Sequence, residues 1–176
     1  MGNKKPPRYL YHHTRLTALP SIVADGYLKL CPSNLLPPDD ATGHLEPLYG
    51  PDGKQYGERY WDKNQSYKPV VWLMTEEKPD YEKHGLIPDK TKITFVFRYS
   101  PRFVPWIAFA DANKMDPAWR YELEKGRKHR TWYICQTEVK IAEAVEIRAT
   151  ADAEEEEAFI RKYLPTAKIS RSFSTD

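Results

Sequence analysis

The chain predicts an α+β domain with an antiparallel or mixed sheet, and three observations predict it. Short strand-like segments recur along its 176 residues. Only a few one-sided helical stretches separate them, so the alternation that a parallel βαβ sheet requires is missing. The eight glycines are scattered, and none forms the phosphate loop of a doubly wound nucleotide fold.

Taken in order, residues 1–8 form a basic arm expected to be flexible, and a single domain is expected over 9–164. Arg8-Tyr9-Leu10-Tyr11-His12 alternates and is rich in aromatics, as a strand should be. Thr14 or Thr17 is placed to cap a helix in which Leu16, Leu19, Ile22 and Val23 share one face. Gly26 stops that helix where a left-handed residue is useful. Tyr27 to Cys31 alternates again as a second short strand. Loop 32–69 is crowded with Pro, Gly and Asp, and is expected to hold little regular structure. Its tyrosines and Trp61 argue for an ordered lid over a floppy insertion.

Pro69-Val70-Val71-Trp72-Leu73-Met74-Thr75 is a continuous apolar run suited to a strand buried on both faces. Residues 81–88 read as a short helix or a loop. Thr91 to Tyr99 is the clearest strand. Trp106-Ile107-Ala108-Phe109 reads as a short strand or one turn. Pro117 opens a helix that runs to Lys125 and ends at Gly126. Thr131 to Cys135 is a further strand, which Val139-Lys140-Ile141 continues or pairs with, and Ala144 to Arg148 is another. Residues 150–164 form a helix with Glu154 to Glu157 near its start and Arg161 and Lys162 near its end, an order that complements the helix dipole. The tail 165–176 is polar and expected to be loose.

Composition narrows the function classes. With 27 Lys+Arg against 25 Asp+Glu, the formal net charge is +2, which does not mark a nucleic-acid binder by itself. Two cysteines, Cys31 and Cys135, make neither a metal pair nor a disulfide framework, and the expectation is a cytoplasmic chain with reduced thiols. No apolar run reaches the roughly 20 residues of a membrane-spanning helix. Adjacent strand residues point to opposite faces, so His12 and His13 do not form a zinc pair and no metal is expected. One of them should face a cleft, because polar groups at a strand end are well placed to meet a ligand. The run Lys125-Gly126-Arg127-Lys128-His129-Arg130 is basic and is placed to guide an acidic target.

Three segments together resemble the ADP-ribosyltransferase superfamily of the histidine–aromatic–glutamate type. They are Tyr11-His12-His13-Thr14 with the following helix, Gly26 and Leu28; then Val71-Trp72-Leu73-Met74-Thr75; then Gln136-Thr137-Glu138. The resemblance spans about Tyr9 to Ile147. It implies split, mostly antiparallel sheets with a few short helices around an NAD cleft. His12 and Thr14 match the residues that meet a ribose of NAD, and His13 matches a position whose backbone pairs with the nicotinamide amide. Trp72 matches the stacking aromatic, which is more often tyrosine, and His13 stands where glycine is common. Glu138 matches the catalytic glutamate and Gln136 the residue that positions the acceptor.

The chemistry suits these residue types. The nicotinamide leaves neutral, so a strong general acid is not needed, while a carboxylate near the ribose offsets developing positive charge. Arg98 and Arg102 are candidates for the pyrophosphate, since arginine makes bidentate phosphate contacts. The expected function is NAD-dependent transfer of ADP-ribose to a macromolecular acceptor, protein or nucleic acid, with a toxin or a phage or bacterial effector as the role that family analogy suggests. Two alternatives stand beside it. One is an NAD-consuming RNA 2′-phosphotransferase, which would want cleft arginines and no essential glutamate. The other is a non-catalytic binding protein on the same scaffold.

Overall fold

A computed structural model describes residues 5–28, 43–49, 55–62, 70–113, 115 and 117–172, with the strands inside 43–62 described as backbone alone. The architecture is mixed α and β, with a mostly antiparallel sheet and few helices. In chain order the elements are β1 (Tyr9–Thr14), α1 (Leu19–Asp25), β2 (Tyr27–Leu28), β3 (Gly43–Tyr49), β4 (Gln55–Asp62), β5 (Val71–Met74) and α2 (Tyr81–His84). There follow β6 (Ile93–Arg98), β7 (Val104–Pro105), α3 (Trp106–Ala112), α4 (Pro117–Glu124), β8 (Trp132–Cys135), β9 (Val139–Lys140), β10 (Glu146–Ala151), α5 (Glu154–Tyr163) and β11 (Lys168–Arg171).

Seven strands form one sheet in the order β11-β10-β6-β1-β5-β8-β7, antiparallel throughout except for the parallel pair β10–β11. Period-two alternation sorts its side chains onto two faces. One face carries Leu10, Val71, Leu73, Phe95 and Phe97, and α1 and α5 cover it with Leu19, Ile22 and Ile160, joined by Leu164 just past α5. The other carries Val70, Met74, Trp132 and Ile134, which α3 covers with Trp106, Phe109 and Ala110. The apolar run at β5 therefore has the two-sided burial that its composition demands.

Local chemistry explains the element ends, and in several places corrects the expectation. Neither Thr14 nor Thr17 caps α1. A 3₁₀ turn, Leu16–Ala18, precedes it, and Pro20 fixes the first turn of the helix proper. Gly26 does end α1 in the left-handed region, at φ 76°, with its N–H on the Ile22 carbonyl. Of the strand expected over Tyr27 to Cys31, Tyr27–Leu28 is observed and the rest lies outside the described residues, as do residues 1–4 of the arm. Loop 32–69 is not without regular structure. Its described parts are two antiparallel strands, β3 and β4, with a register shift at Leu48/Tyr49. Gly50-Pro51-Asp52-Gly53, turn-type residues by sequence that lie outside the described residues, was the sequence signal for a hairpin.

Trp106 to Ala112 is helical, because Trp106, Phe109 and Ala110 fall at i, i+3 and i+4 and all are buried. β9 neither continues nor partners β8; it pairs with β2 through Leu28↔Val139 and Tyr27↔Lys140. Thr150 and Ala151 belong to β10, so α5 starts later, at Glu154. The tail is not loose throughout: β11 pairs with β10, and Arg171 forks onto Glu157 of α5 at 2.6 and 2.9 Å. On the sheet side of α5, Lys92 reaches Asp152 and Glu156.

Gly26 carries more than a helix stop, since its carbonyl accepts the Ile141 N–H at 3.0 Å and so helps hold the β2–β9 pair. A Cβ there would meet nothing within 4 Å. Gly26→Ala is expected to destabilise the fold by about 1 kcal/mol through left-handed backbone strain alone. Urea unfolding of the two proteins measures it.

Candidate functional site

The site begins where the sheet parts. β1 pairs with β6 along its whole length, from Tyr9↔Arg98 to Thr14↔Ile93, but with β5 only at Tyr11↔Met74. The Tyr99 N–H bonds to the Arg8 carbonyl, so even-numbered residues of β1 direct their main-chain groups toward β6. Odd-numbered ones direct theirs toward β5. The N–H and C=O of His13 thus face the side on which the β1–β5 ladder has already ended.

A cavity of about 620 Å³ opens along this split. That is within the range of small-molecule sites. The alternation of β1 and β5 gives its two sides different chemistry. On the α1 side lie His12, Thr14, Arg15 and Ser21. On the α3 side lie Trp72, Met74, His84, Leu86, Arg127 and Trp132. Arg15, Lys90 and Arg127 border the cavity, and among the described residues no carboxylate does. The described part of the wall therefore carries positive charge.

The two histidines are held in different ways. His12 Nδ1 lies 2.8 Å from the Trp72 carbonyl. A carbonyl only accepts, so Nδ1 carries the proton and donates it, and Nε2 of the neutral ring is left as an acceptor. Burial lowers the His12 pKa to about 4, with the Lys90 ammonium acting in the same direction and the Trp72 carbonyl opposing both. The ring is therefore neutral at pH 7 and can accept a hydrogen bond from a hydroxyl. His13 is 7 % exposed. Its Nε2–H donates to the Glu76 carbonyl at 3.0 Å, and its Nδ1 accepts from the Thr94 hydroxyl at 2.9 Å. With both nitrogens used, the His13 side chain is a strut, and the main chain is what it presents to the split.

Trp72 sits in a group of three tryptophan rings. Its centroid is 5.3 Å from that of Trp106 and 5.7 Å from that of Trp132, the latter edge-on. It is half-buried, with the partly exposed ring bordering the cavity. Its neighbours fix the ring plane, which suits a stacking surface.

The structure brings His12, His13, Thr14 and Trp72 together and leaves Gln136 and Glu138 out of the cavity wall. Both lie exposed in the bend between β8 and β9. Glu138 adjoins Val139, whose ladder partner Leu28 borders the cavity. Because 136–138 is a bend and not a strand, Gln136 does not share a face with Glu138 by alternation, as the sequence had suggested. Arg98 and Arg102 do not serve the cavity. Arg98 pairs opposite Tyr9, at the far end of β1, about 16 Å from the Thr14 level at the usual rise of a strand. Arg102 is ion-paired to Glu143.

Sequence reasoning missed Arg15, His84, Lys90, Arg127 and Trp132 as wall residues. Arg127 had a signal, since it lies in the noted basic run. The Lys128 N–H bonds to the Lys83 carbonyl at 2.7 Å, which holds that run against α2. Gly85 takes φ 69°, a left-handed value that favours glycine, and a Cβ there would sit in ordinary contact, 3.4 Å, with the Arg127 guanidinium.

The two depressed histidines, His12 and His13, share a stability signature over the same pH window. His13 in the folded chain has a pKa lowered from 6.5 to about 4, chiefly by burial. The unfolded chain binds the proton first as pH falls, so stability is lost from pH 6.5 downward to about 4. His13 alone is expected to remove about 2 kcal/mol between pH 7 and pH 5. The paired carboxylates of Glu146, Asp152 and Glu157, held low by their cationic partners, add their own loss below about pH 5, as pH falls through the ordinary carboxylate range. Urea melts at pH 7, 6 and 5 should show the slope in the wild type and a shallower one in His13→Gln; equal slopes would remove His13 as its source.

Comparison of the chain with family models, with curated proteins and with solved structures finds no match in any of the three.

Proposed function

We propose that the chain is an NAD-dependent ADP-ribosyltransferase acting on a macromolecular acceptor, protein or nucleic acid, and that the parted β1–β5 ladder is its NAD cleft. The observation that carries this reading is the division of labour across the split. One side offers a hydroxyl-binding set, the Nε2 acceptor of His12 with Thr14, and the other offers an aromatic surface at Trp72. Cations border both. A dinucleotide with ribose hydroxyls, a pyrophosphate and flat bases matches each of these features.

In this reading NAD supplies the electrophilic ribose carbon and releases nicotinamide as a neutral leaving group. His12 Nε2 accepts a ribose hydroxyl, and the main chain of His13 meets the nicotinamide amide. Trp72 holds the ring plane. Lys90, Arg15 and Arg127 offset phosphate charge. Glu138, carried by the bend before β9, is the carboxylate that steadies positive charge developing on the ribose in this reading. Orientation by fixed strands contributes a large part of the rate. A cytoplasmic setting fits this chemistry, and among the described residues no helix is long and apolar enough to cross a membrane.

The test uses NAD labelled in the adenylate, with cell extract or nucleic acid as acceptor. Wild type is expected to transfer label and release nicotinamide. Glu138→Gln should lose about 10²- to 10³-fold in turnover with little change in NAD affinity. His12→Ala and Trp72→Ala should weaken NAD binding by calorimetry. Equal transfer by wild type and Glu138→Gln sinks the assignment of Glu138.

A second reading is favoured by one observation. Among the described residues the wall holds three cations and no carboxylate, which is what an NAD-consuming RNA 2′-phosphotransferase needs. Phosphate removal from a 2′-phosphorylated RNA that survives Glu138→Gln would select it. If millimolar NAD does not raise the melting temperature at all, a non-catalytic binding role replaces both enzymes.

A further inference from the structure

The segment that follows α4 is charged and open to solvent. Lys125, Arg127, Lys128 and Arg130 are all exposed. Six cations elsewhere in the fold, Lys92, Arg102, Arg120, Arg148, Lys168 and Arg171, each have a carboxylate at ion-pair distance. The four after α4 have none among the described residues, and Arg127 reaches instead to the Leu123 carbonyl at 3.4 Å. The described acids on the flanking helices do little to offset them. Glu124 accepts from Trp106 Nε1 at 2.7 Å and from Arg120 Nε at 2.8 Å, and lies 3.6 Å from His129. Asp80 pairs with Lys83 at 3.0 Å, which leaves Glu82 exposed on α2. Four unmatched cations within six residues make a local positive field in a chain whose net charge is +2.

Two further features give this field a direction and a second kind of contact. Arg127 also borders the cavity, so the segment runs up to the site. Its main chain is fixed there, with the Lys128 N–H on the Lys83 carbonyl at 2.7 Å and the Arg127 N–H on the Glu124 carbonyl at 3.0 Å. On the last turn of α4 stands Tyr121, a large side chain left 60 % exposed. Lys125, four residues on, places its ammonium 5.7 Å from the centre of that ring. A bare ring followed by a line of cations is the combination that meets a chain of phosphates with free bases: the cations follow the backbone and the ring takes a base in a stack. An acidic polypeptide matches the cations and gives the ring no base to hold. In a duplex the bases are already stacked on one another, and a base must leave that stack before a buried site can reach it.

We propose that Tyr121 and the segment Lys125–Arg130 form a docking surface for a single-stranded nucleic acid, which they lead to the cavity at Arg127. The docking surface stands on its own residues. That the docked strand is the acceptor of ADP-ribose rests on the NAD reading, and it selects nucleic acid over protein within that reading.

The experiment is fluorescence anisotropy of a labelled single-stranded oligonucleotide with the full chain at two salt concentrations. Four phosphate contacts predict a logarithmic salt slope of about −3, which is about 50-fold weaker binding at ~200 mM than at ~50 mM salt. Replacing Lys125, Lys128 and Arg130 together by Gln should reduce that slope to about −0.7. Tyr121→Ala should weaken binding about 5-fold or more, while Tyr121→Phe, which keeps the ring, should bind as the wild type does. All four positions are exposed, so circular dichroism should not change. Millimolar NAD should raise the melting temperature of the triple variant as much as that of the wild type. An unchanged slope in the triple variant overturns the docking surface. An oligoglutamate of equal charge that binds as tightly as the strand overturns nucleic acid as the partner. Equal affinity for the duplex, with no effect of Tyr121→Ala, overturns the single strand. No oligonucleotide binding at low salt, with the NAD shift intact, overturns the surface and leaves the NAD reading standing. Oligonucleotide binding without any NAD shift keeps the surface and removes the NAD reading.

Discussion

The site depends on a sheet that stops pairing in its middle. A central strand normally exchanges main-chain hydrogen bonds on both edges, and β1 does so with β6 for six residues. Toward β5 it does so only at Tyr11↔Met74. Beyond that point a side chain takes over, as the His12 imidazole bonds the Trp72 carbonyl. The substitution satisfies a carbonyl that the parted ladder would otherwise leave bare, and it sets the tautomer of the ring. One interaction thus keeps the split open, orients the acceptor nitrogen of His12 and anchors the strand that carries Trp72.

The split is affordable because the flanking structure is firmly held. β6, on the other edge of β1, is buried from Ile93 to Phe97 and apolar there apart from Thr94. α1 and α5 cover one face, and α3 with its aromatic residues covers the other. Burial on both sides leaves β1 no freedom to drift toward β5 and close the gap. His13 contributes to this rigidity through its two ring hydrogen bonds, to Thr94 on β6 and to Glu76 just past β5. A histidine that looked like a site residue in the sequence is therefore partly a brace across the divide.

Much of this was legible in the residues. The apolar run at Val71 to Met74, the alternating strand at Tyr9 to His12 and the Gly26 stop each follow from a local rule, and each is where the rule puts it. The asymmetry between His12 and His13 was also legible, because strand residues alternate. What was not legible depends on pairing at a distance. Nothing local in Val139-Lys140 says that its partner is Tyr27–Leu28 and not β8. The polar segment Lys168–Arg171 carries no strand signature, and it is ordered by β10 and by the Glu157–Arg171 fork. The cations at Arg15, Lys90 and Arg127 come from three separate segments, so only the tertiary fold gathers them. Arg98 and Arg102 failed as cleft residues because sequence gives residue type and not which end of a strand meets the cavity.

The tryptophan group has an optical consequence. Trp72, Trp106 and Trp132 are three of the five tryptophans in the chain, and their centroids lie within 5.3 to 6.2 Å of one another. Chromophores at such spacing exchange excitation, so the emission and near-ultraviolet dichroism of this protein are properties of the group and not of single rings. Two of the three border the cavity. A flat molecule entering there perturbs the whole coupled set, and the protein carries its own spectroscopic record of whether the cleft is filled.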